Sequence, residues 1–487
     1  MKRKLFFISP FLNSWNVAAF PELIRREKKT SDVGLLYCNA QQGRCYNNIY
    51  SSKTICSECT KNAVAFAKRE FPELELIPVF RPNFEGGIKR NPESSSLVDY
   101  SAVSTLVSRF RPVQNNWSKR EKKFYHLLKD FGNKFVDALN SRLTELTGST
   151  KIVIFNGRVF PGALVRTSRL QFENIECDTF EYCEKGDQIY YFKNSTAHDL
   201  PNARREIAKI SRVGLTTQQK ERAHEFFARA QLNLAKRLGN SSIETSTDFS
   251  RKTISIFLSS DDELASLGPD WESIFTNDVE HSVVTLCEMF HDYNILLRLH
   301  PNQAGQGKRI LKIYKAIAKS FYNVKIIFPN EKINSYGLIN YSDFVISFGS
   351  TISVEATYLG KISILLGKQR FDSLDVAYTP KSFNELESII RSQREIKPKS
   401  IEAALVYGYF CDRPGIELPN VKFQDAQAYF NGNPLIENVN KTYLIMKLID
   451  HLRLRRPDMT FTSLLRLVFL KLNFYDLKND RMKVVKK

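Results

Sequence analysis

Three polar clusters follow directly on short apolar runs in the second half of this chain. Ser259-Ser260-Asp261-Asp262-Glu263 follows the run at 253–258, His300-Pro301-Asn302 follows the run at 295–299, and Gly349-Ser350-Thr351 follows Phe344 to Ser347. The last is the richest in chemistry. Gly349 lets the backbone turn tightly. Ser350 and Thr351 are expected to open a helix over 351–359, whose free N–H groups can hold a diphosphate. Glu355, one turn further on, can accept hydrogen bonds from ribose hydroxyls. A plain helix cap with a solvated glutamate is the competing reading. Arg298 suits a phosphate as a planar cation. His300 suits a phosphate contact or a proton transfer. Both could instead be satisfied by carbonyls at the strand end.

The first half carries fewer such groups. Asn156-Gly157-Arg158 follows a β-branched run at 151–155. Asn156 could orient a sugar hydroxyl and Arg158 could pair with a phosphate or carboxylate, although Asn-Gly is also a common turn pair. Glu184, His198 and Asp199 are the candidate general bases, since a group transfer to a hydroxyl needs an acceptor for its proton. Cys38, Cys45, Cys56 and Cys59 have the spacing Cys-x6-Cys-x10-Cys-x2-Cys. Thiolates so spaced could hold a structural zinc ion, and ordinary reduced cysteines are the alternative.

Such groups need rigid elements behind them. Strands are expected at 4–9, 34–37, 76–80 and 151–155, with helices at 61–71 and 117–146, which favours a parallel sheet covered by helices. A helix at 218–238 ends at Gly239 and a Ser/Thr-rich linker follows. A second alternating block places strands at 253–258, 295–299, 324–328, 344–347 and 362–366, with helices at 279–291, 307–321 and 351–359. In an open parallel sheet, ligands bind beyond the carboxyl ends of the strands, and the polar clusters lie there. The expected organisation is a first α/β domain at 1–200, a helical connector and linker at 201–250, a second α/β domain at 251–400, and a helical, basic extension at 401–487.

The chain of 487 residues carries 71 Lys and Arg against 52 Asp and Glu, a net charge of +19, with 43% hydrophobic and 12% aromatic residues. This composition excludes disordered and low-complexity classes. No apolar run reaches the ~18 residues of a spanning helix. The apolar stretch from Leu5 to Ile8 is too short for a signal core, so a buried first strand is expected. Eight cysteines in a chain of this size argue against a disulfide framework. The expected location is the cytoplasm, peripheral at the inner membrane face, because Arg453 to Lys487 is strongly basic with leucines interspersed and could rest on anionic lipid.

The stretch from Ile295 to Pro301, Asp343, Gly349-Ser350-Thr351, Glu355-Ala356 and Gly360-Lys361 resembles bacterial capsule and surface-polysaccharide glycosyltransferases of GT-B architecture. Ser259-Ser260 with Glu263 and Trp271, Tyr407-Gly408-Tyr409 with Gly415, Asn156-Gly157-Arg158, Glu184 with Gly186, and His198-Asp199 fit the same group. The resemblance covers most of residues 150–415. It implies two Rossmann-like domains facing across a cleft. A nucleotide sugar would lie on the second, held by Ser259, Ser260, Arg298, His300, Gly349, Ser350, Thr351 and Glu355. A glycan or lipid-linked acceptor would lie on the first, at Asn156 and Arg158. It also implies transfer without a metal or other cofactor, and no Asp-x-Asp triplet occurs to chelate a metal–diphosphate. Two other functions compete. Non-hydrolysing UDP-sugar epimerases carry similar elements. The positive charge would also suit a nucleic-acid-binding protein, but no finger spacing, RNP-like motif or helix-turn-helix signature supports nucleic acid as a partner.

Overall fold

A computed structural model describes residues 3–8, 15–41, 43–81, 92–110, 117–146, 148–183, 186–238, 250–260, 267–301, 303, 308–392, 396–424 and 427–435. The first domain runs β1 (Arg3–Ile8), α1 (Trp15–Glu27), β2 (Asp32–Tyr37), α2 (Lys53–Glu70), β3 (Glu75–Pro78), α3 (Pro92–Phe110), α4 (Lys119–Leu143), β4 (Thr150–Phe155), α5 (Gly162–Arg169), β5 (Ile175–Tyr182) and β6 (Gln188–Phe192). Helices α6 (Leu200–Val213) and α7 (Thr217–Leu238) lead out of it. The second domain runs β7 (Thr253–Phe257), α8 (Val279–Met289), β8 (Asn294–Arg298), α9 (Lys308–Ser320), β9 (Val324–Ile327), α10 (Ser335–Tyr341), β10 (Phe344–Ser347), α11 (Ile352–Tyr358), β11 (Ile362–Leu365) and α12 (Phe383–Arg391). Helix α13 (Ile401–Asp412) follows, then β12 (Ile416–Glu417), β13 (Val421–Gln424), β14 (Gln427–Phe430) and β15 (Asn433–Pro434).

The two domains share one wiring. In the first sheet β3-β2-β1-β4-β5 are parallel neighbours, and β6 and β12 extend the edge antiparallel. In the second, all five strands are parallel in the order β11-β10-β7-β8-β9. Each chain segment fills one side of its sheet, then crosses over the first strand to fill the other. This is the Rossmann order, and it opens a crevice where the direction reverses, at β1/β4 and at β7/β10. The protein is thus two Rossmann-like domains facing across a cleft.

Strand alternation explains why both sheets take helices on both faces. Phe6 and Ile8 pack into a core with α1 and α2, while Leu5 and Phe7 pack on the other face with α3 and α4. In the second domain Ile254 and Ile256 join one core and Phe257 the opposite one. Helix α4 is held at its start by a reciprocal capping box between Ser118 and Glu121.

The crossing back corrects the expectation of a helical extension from 401. After α13 the described chain turns to strand: β12 pairs antiparallel with β6, and β13 to β15 form a small sheet packed against α1. Val421 and Phe423 alternate inward along β13, a period of two that does not suit a helix. The segment 401–435 therefore straps the two domains together, with α13 against α7 and β12 on the edge of the first sheet. Helix α13 runs against α7 so closely that a Cβ on Gly408 would stand 2.8 Å from the Phe227 ring. That ring stacks on Tyr358 of α11 at 4.1 Å. The expected basic tail, 453–487, lies outside the described residues.

Candidate active site in the interdomain cleft

At the first crossover, β4 ends and the chain reverses through Asn156 and Gly157, both at positive φ (58° and 75°). Asn156 tolerates this conformation because its short side chain bonds locally. Its carbonyl oxygen accepts from Arg158 N–H at 3.0 Å, and its amide donates to Glu181 at 2.5 Å. Glu181 stands near the end of the neighbouring β5. Burial drives its carboxyl up to about 6, against the opposing pull of the Asn156 hydrogen bond and the Arg370 charge. A carboxylate so placed is ionised at neutral pH but close to its titration, as a general base should be.

Above these strand ends lies a cavity of about 810 Å³ whose walls come from both domains. The first domain contributes Asn156, Arg158, Glu181, Tyr190 and His198, and the second contributes Arg370. Helix α13 and the turn after it add Phe410, Cys411 and Arg413. Arg158 is steadied by donating from Nε to Ser104 Oγ at 3.0 Å. Arg413 lies between the rings of Tyr190 and Phe410, 4.4 and 4.0 Å from their centroids. His198 is pulled down to about 3 by burial and by the charges of Arg158, Arg370 and Arg166. Its imidazole is therefore held neutral at physiological pH.

The domains meet directly beside the cavity. Trp271 Nε1 donates to the His198 carbonyl at 2.9 Å, and Arg204 of α6 forks onto Asp372 in a short 3-10 turn of the second domain. Arg370 reaches the cavity from the loop after β11. The preceding residue, Gln369, donates to the carbonyl of Gly349, so the Gly349 turn and the cleft are tied by two residues of chain.

At the second crossover, β7 and β10 lie side by side, and Phe348 N–H donates to the Phe257 carbonyl at 3.1 Å. Ser259 and Ser260 extend from β7, both buried, and neither hydroxyl has a hydrogen-bond partner among the described residues. A buried hydroxyl left unpaired costs about 1–3 kcal/mol, so a ligand that accepts or donates here recovers that cost. Gly349 turns at φ +96°, and Gly367 packs on it so tightly that a Cβ at Gly367 would stand 2.9 Å from the Gly349 Cα.

The remaining sequence candidates are placed as follows. Helix α11 starts at Ile352, later than expected, and has seven residues. Thr351 is its cap position without a side-chain cap bond, and Ser350 Oγ accepts from Ile352 N–H. The carboxylate of Glu355 is taken by Tyr336 Oη at 2.5 Å and Thr351 Oγ1 at 2.8 Å. Arg298, expected on a phosphate, is buried and donates instead to the carbonyls of Phe328 and Glu331, because the β9 loop folds over the end of β8. His300 flanks the β8 end, with its backbone N–H on Gln303. Asp199, a candidate base, caps α6: its oxygens accept from Asn202 N–H and from Ser195 Oγ. Glu184 lies outside the described residues, as do Asp261, Asp262 and Glu263. Cys38, Cys45, Cys56 and Cys59 all line one small void of about 30 Å³. Cys56 Sγ accepts there from Asn48 Nδ2 and Gly43 N–H. Among the described residues no group of three or more His, Cys, Asp or Glu is placed to hold a metal ion.

Glu181, Arg370 and Arg413 were not among the sequence candidates. The signal for Glu181 was present: Phe180 and Tyr182 alternate with it on an apolar strand that ends in the cleft.

No family model and no curated protein matches the chain. Solved structures are similar at low scores. A beta Kdo 2,4 transferase, KpsC of Thermosulfurimonas dismutans, is 13% identical over 63% of this chain and 89% of its own, with a TM-score of 0.34. The beta Kdo 2,7 transferase of the same KpsC is 12% identical over 80% and 95%, with a TM-score of 0.34. The UDP-GlcNAc 2-epimerase of Methanocaldococcus jannaschii is 13% identical over 84% and 98%, with a TM-score of 0.29. Among the described residues no helix is long and apolar enough to cross a membrane.

Proposed function

We propose that this protein is a glycosyltransferase that moves a sugar from a nucleotide-activated donor to a hydroxyl of a glycan acceptor. The observation that carries the reading is Glu181, a half-buried carboxylate with its pKa raised to about 6, aimed by Asn156 and set in a cavity shared by two Rossmann-like domains. In this reading the donor lies on the second domain. Its ribose or phosphate oxygens would engage the buried hydroxyls of Ser259 and Ser260 beside the Gly349 turn. The sugar would point across the cleft past Arg370.

The transfer step then runs as one displacement. Glu181 takes the proton of the acceptor hydroxyl as its oxygen forms a bond to the anomeric carbon. The bond from that carbon to the donor's phosphate oxygen breaks, and the nucleotide leaves with the electron pair. A single base on the acceptor side fits inversion at the anomeric carbon. Transfer is proposed to need no metal, and the basic segment 453–487 is proposed to hold the enzyme at anionic lipid, near lipid-linked acceptors.

The test incubates the full chain with UDP-, CMP- and GDP-sugars, with and without surface-glycan oligosaccharides, and follows released nucleotide and the sugar product. Acceptor-dependent nucleotide release supports the reading. Conversion of a UDP-sugar to its C2 epimer without acceptor would instead identify an epimerase.

A further inference from the structure

The cleft carries more positive charge than its single base requires. Glu181 is the sole carboxylate among the described lining residues, against the guanidinium groups of Arg158, Arg370 and Arg413. These come from three separate segments: the turn after β4, the loop after β11, and the turn after α13. Two of the three are held in place by local partners, Arg158 by Ser104 Oγ and Arg413 by the rings of Tyr190 and Phe410. Arg370 has no hydrogen bond or ion pair to any described residue, and its charge bears on Glu181, His198 and Arg413 alike. Like charges converging in a part-buried site are unfavourable without a counter-ion.

We infer that Arg158, Arg370 and Arg413 receive an anionic group, and that this group is a carboxylate of the acceptor glycan. The inference rests on the transferase reading and names its acceptor class: a sugar acid at or next to the ring that offers the reacting hydroxyl. Position favours the acceptor over the donor's phosphates as the source of charge. Arg158 is two residues from Asn156, which orients the base, and Arg413 lies on the first domain's side of the cleft. Ser259 and Ser260, the proposed donor contacts, lie beyond the carboxyl end of β7, the central strand of the other sheet. A planar guanidinium also matches a carboxylate in a two-point contact. Tyr190 and Phe410 add flat surfaces on which a sugar ring can lie.

The experiment is calorimetry on the full chain at fixed ionic strength, without donor. It compares an oligosaccharide ending in a uronic acid with the same oligosaccharide reduced at the carboxyl, and with inorganic pyrophosphate. The expected result is at least tenfold tighter binding of the acid form. That preference should fall to within about twofold in Arg370→Gln and in Arg413→Gln, with the melting temperature of Arg370→Gln close to the parent's, since Arg370 makes no hydrogen bond or ion pair to a described residue. Equal affinity for the two oligosaccharides, no binding of either, or a preference that survives both substitutions overturns the inference. So does pyrophosphate binding lost in Arg370→Gln without any uronate preference, which assigns the arginines to the donor. A retained acid preference in a protein that transfers no sugar leaves the anion site standing and tells against the transferase reading instead.

Discussion

Replacing Glu181 with glutamine separates catalysis from folding at one atom. Glutamine has nearly the same shape, and its amide oxygen can still accept from Asn156 Nδ2, now at 2.5 Å from the carboxylate. What is lost is the charge and the ability to take a proton. Positioned general bases contribute about 10²–10⁴ in rate, so kcat should fall by that order. Stability should move the other way. The Glu181 pKa rises from 4.5 to about 6 in the folded protein. A raised folded pKa means that the group favours folding most below about 4.5 and progressively less as pH rises through about 6. Above pH 7 the ionised form therefore costs at most about 2 kcal/mol, from 1.36 kcal/mol per pKa unit. Glu181→Gln removes that cost, so its thermal midpoint at pH 7.5 should equal or exceed the parent's by a few degrees, and the difference should vanish near pH 4.5. The assays are nucleotide release across pH 5–8 and scanning calorimetry over the same range. The parent's kcat should climb tenfold per pH unit below about 6 and then level off. A variant that keeps activity within threefold of the parent, or a parent profile flat from pH 5 to 7, would refute the assignment of Glu181.

Other perturbations reach different parts of the account. Ser260→Ala removes a buried hydroxyl that has no partner among the described residues, so urea unfolding should show stability unchanged or slightly higher, while nucleotide affinity by calorimetry falls about 5–30-fold. Gly367→Ala places a Cβ 2.9 Å from Gly349, which should cost about 1–3 kcal/mol in urea unfolding and weaken nucleotide binding as well. Chelation with EDTA should leave the rate of sugar transfer within twofold, measured by nucleotide release. Truncation after residue 452 should reduce co-sedimentation with phosphatidylserine vesicles, with transfer to a soluble acceptor retained.

Much of the second domain was legible because its strands are short, continuous apolar runs that end abruptly in polar residues. Phe344 to Ser347 and the turn at Gly349 show why: a fully buried parallel strand reads as an uninterrupted run, and the crossover loop must be polar. The same signal placed Asn156 at the end of β4. Legibility failed where packing, not pattern, decides. Arg298 carries a phosphate-binding side chain, but the β9 loop turns two carbonyls toward it, and nothing local to Arg298 announces that loop. Asp199 has the chemistry of a base, but its spacing ahead of Leu200-Pro201 suits a cap equally well, and in the fold its side chain caps α6. The strands β12 to β15 were hidden because they are two to four residues long and gain their stability from the first domain, far away in sequence. Arg370 and Arg413 are invisible for the same reason. Each is one basic residue among many until the returning chain brings it to the cleft.

The most direct measurement is a crystal structure of the protein with a bound nucleoside diphosphate sugar. The account expects the nucleotide at the carboxyl edge of β7 and β10, with oxygens within hydrogen-bond distance of Ser259 and Ser260 and the anomeric carbon facing Glu181 across the cleft. A nucleotide bound elsewhere, or one whose sugar points away from the first domain, would contradict it.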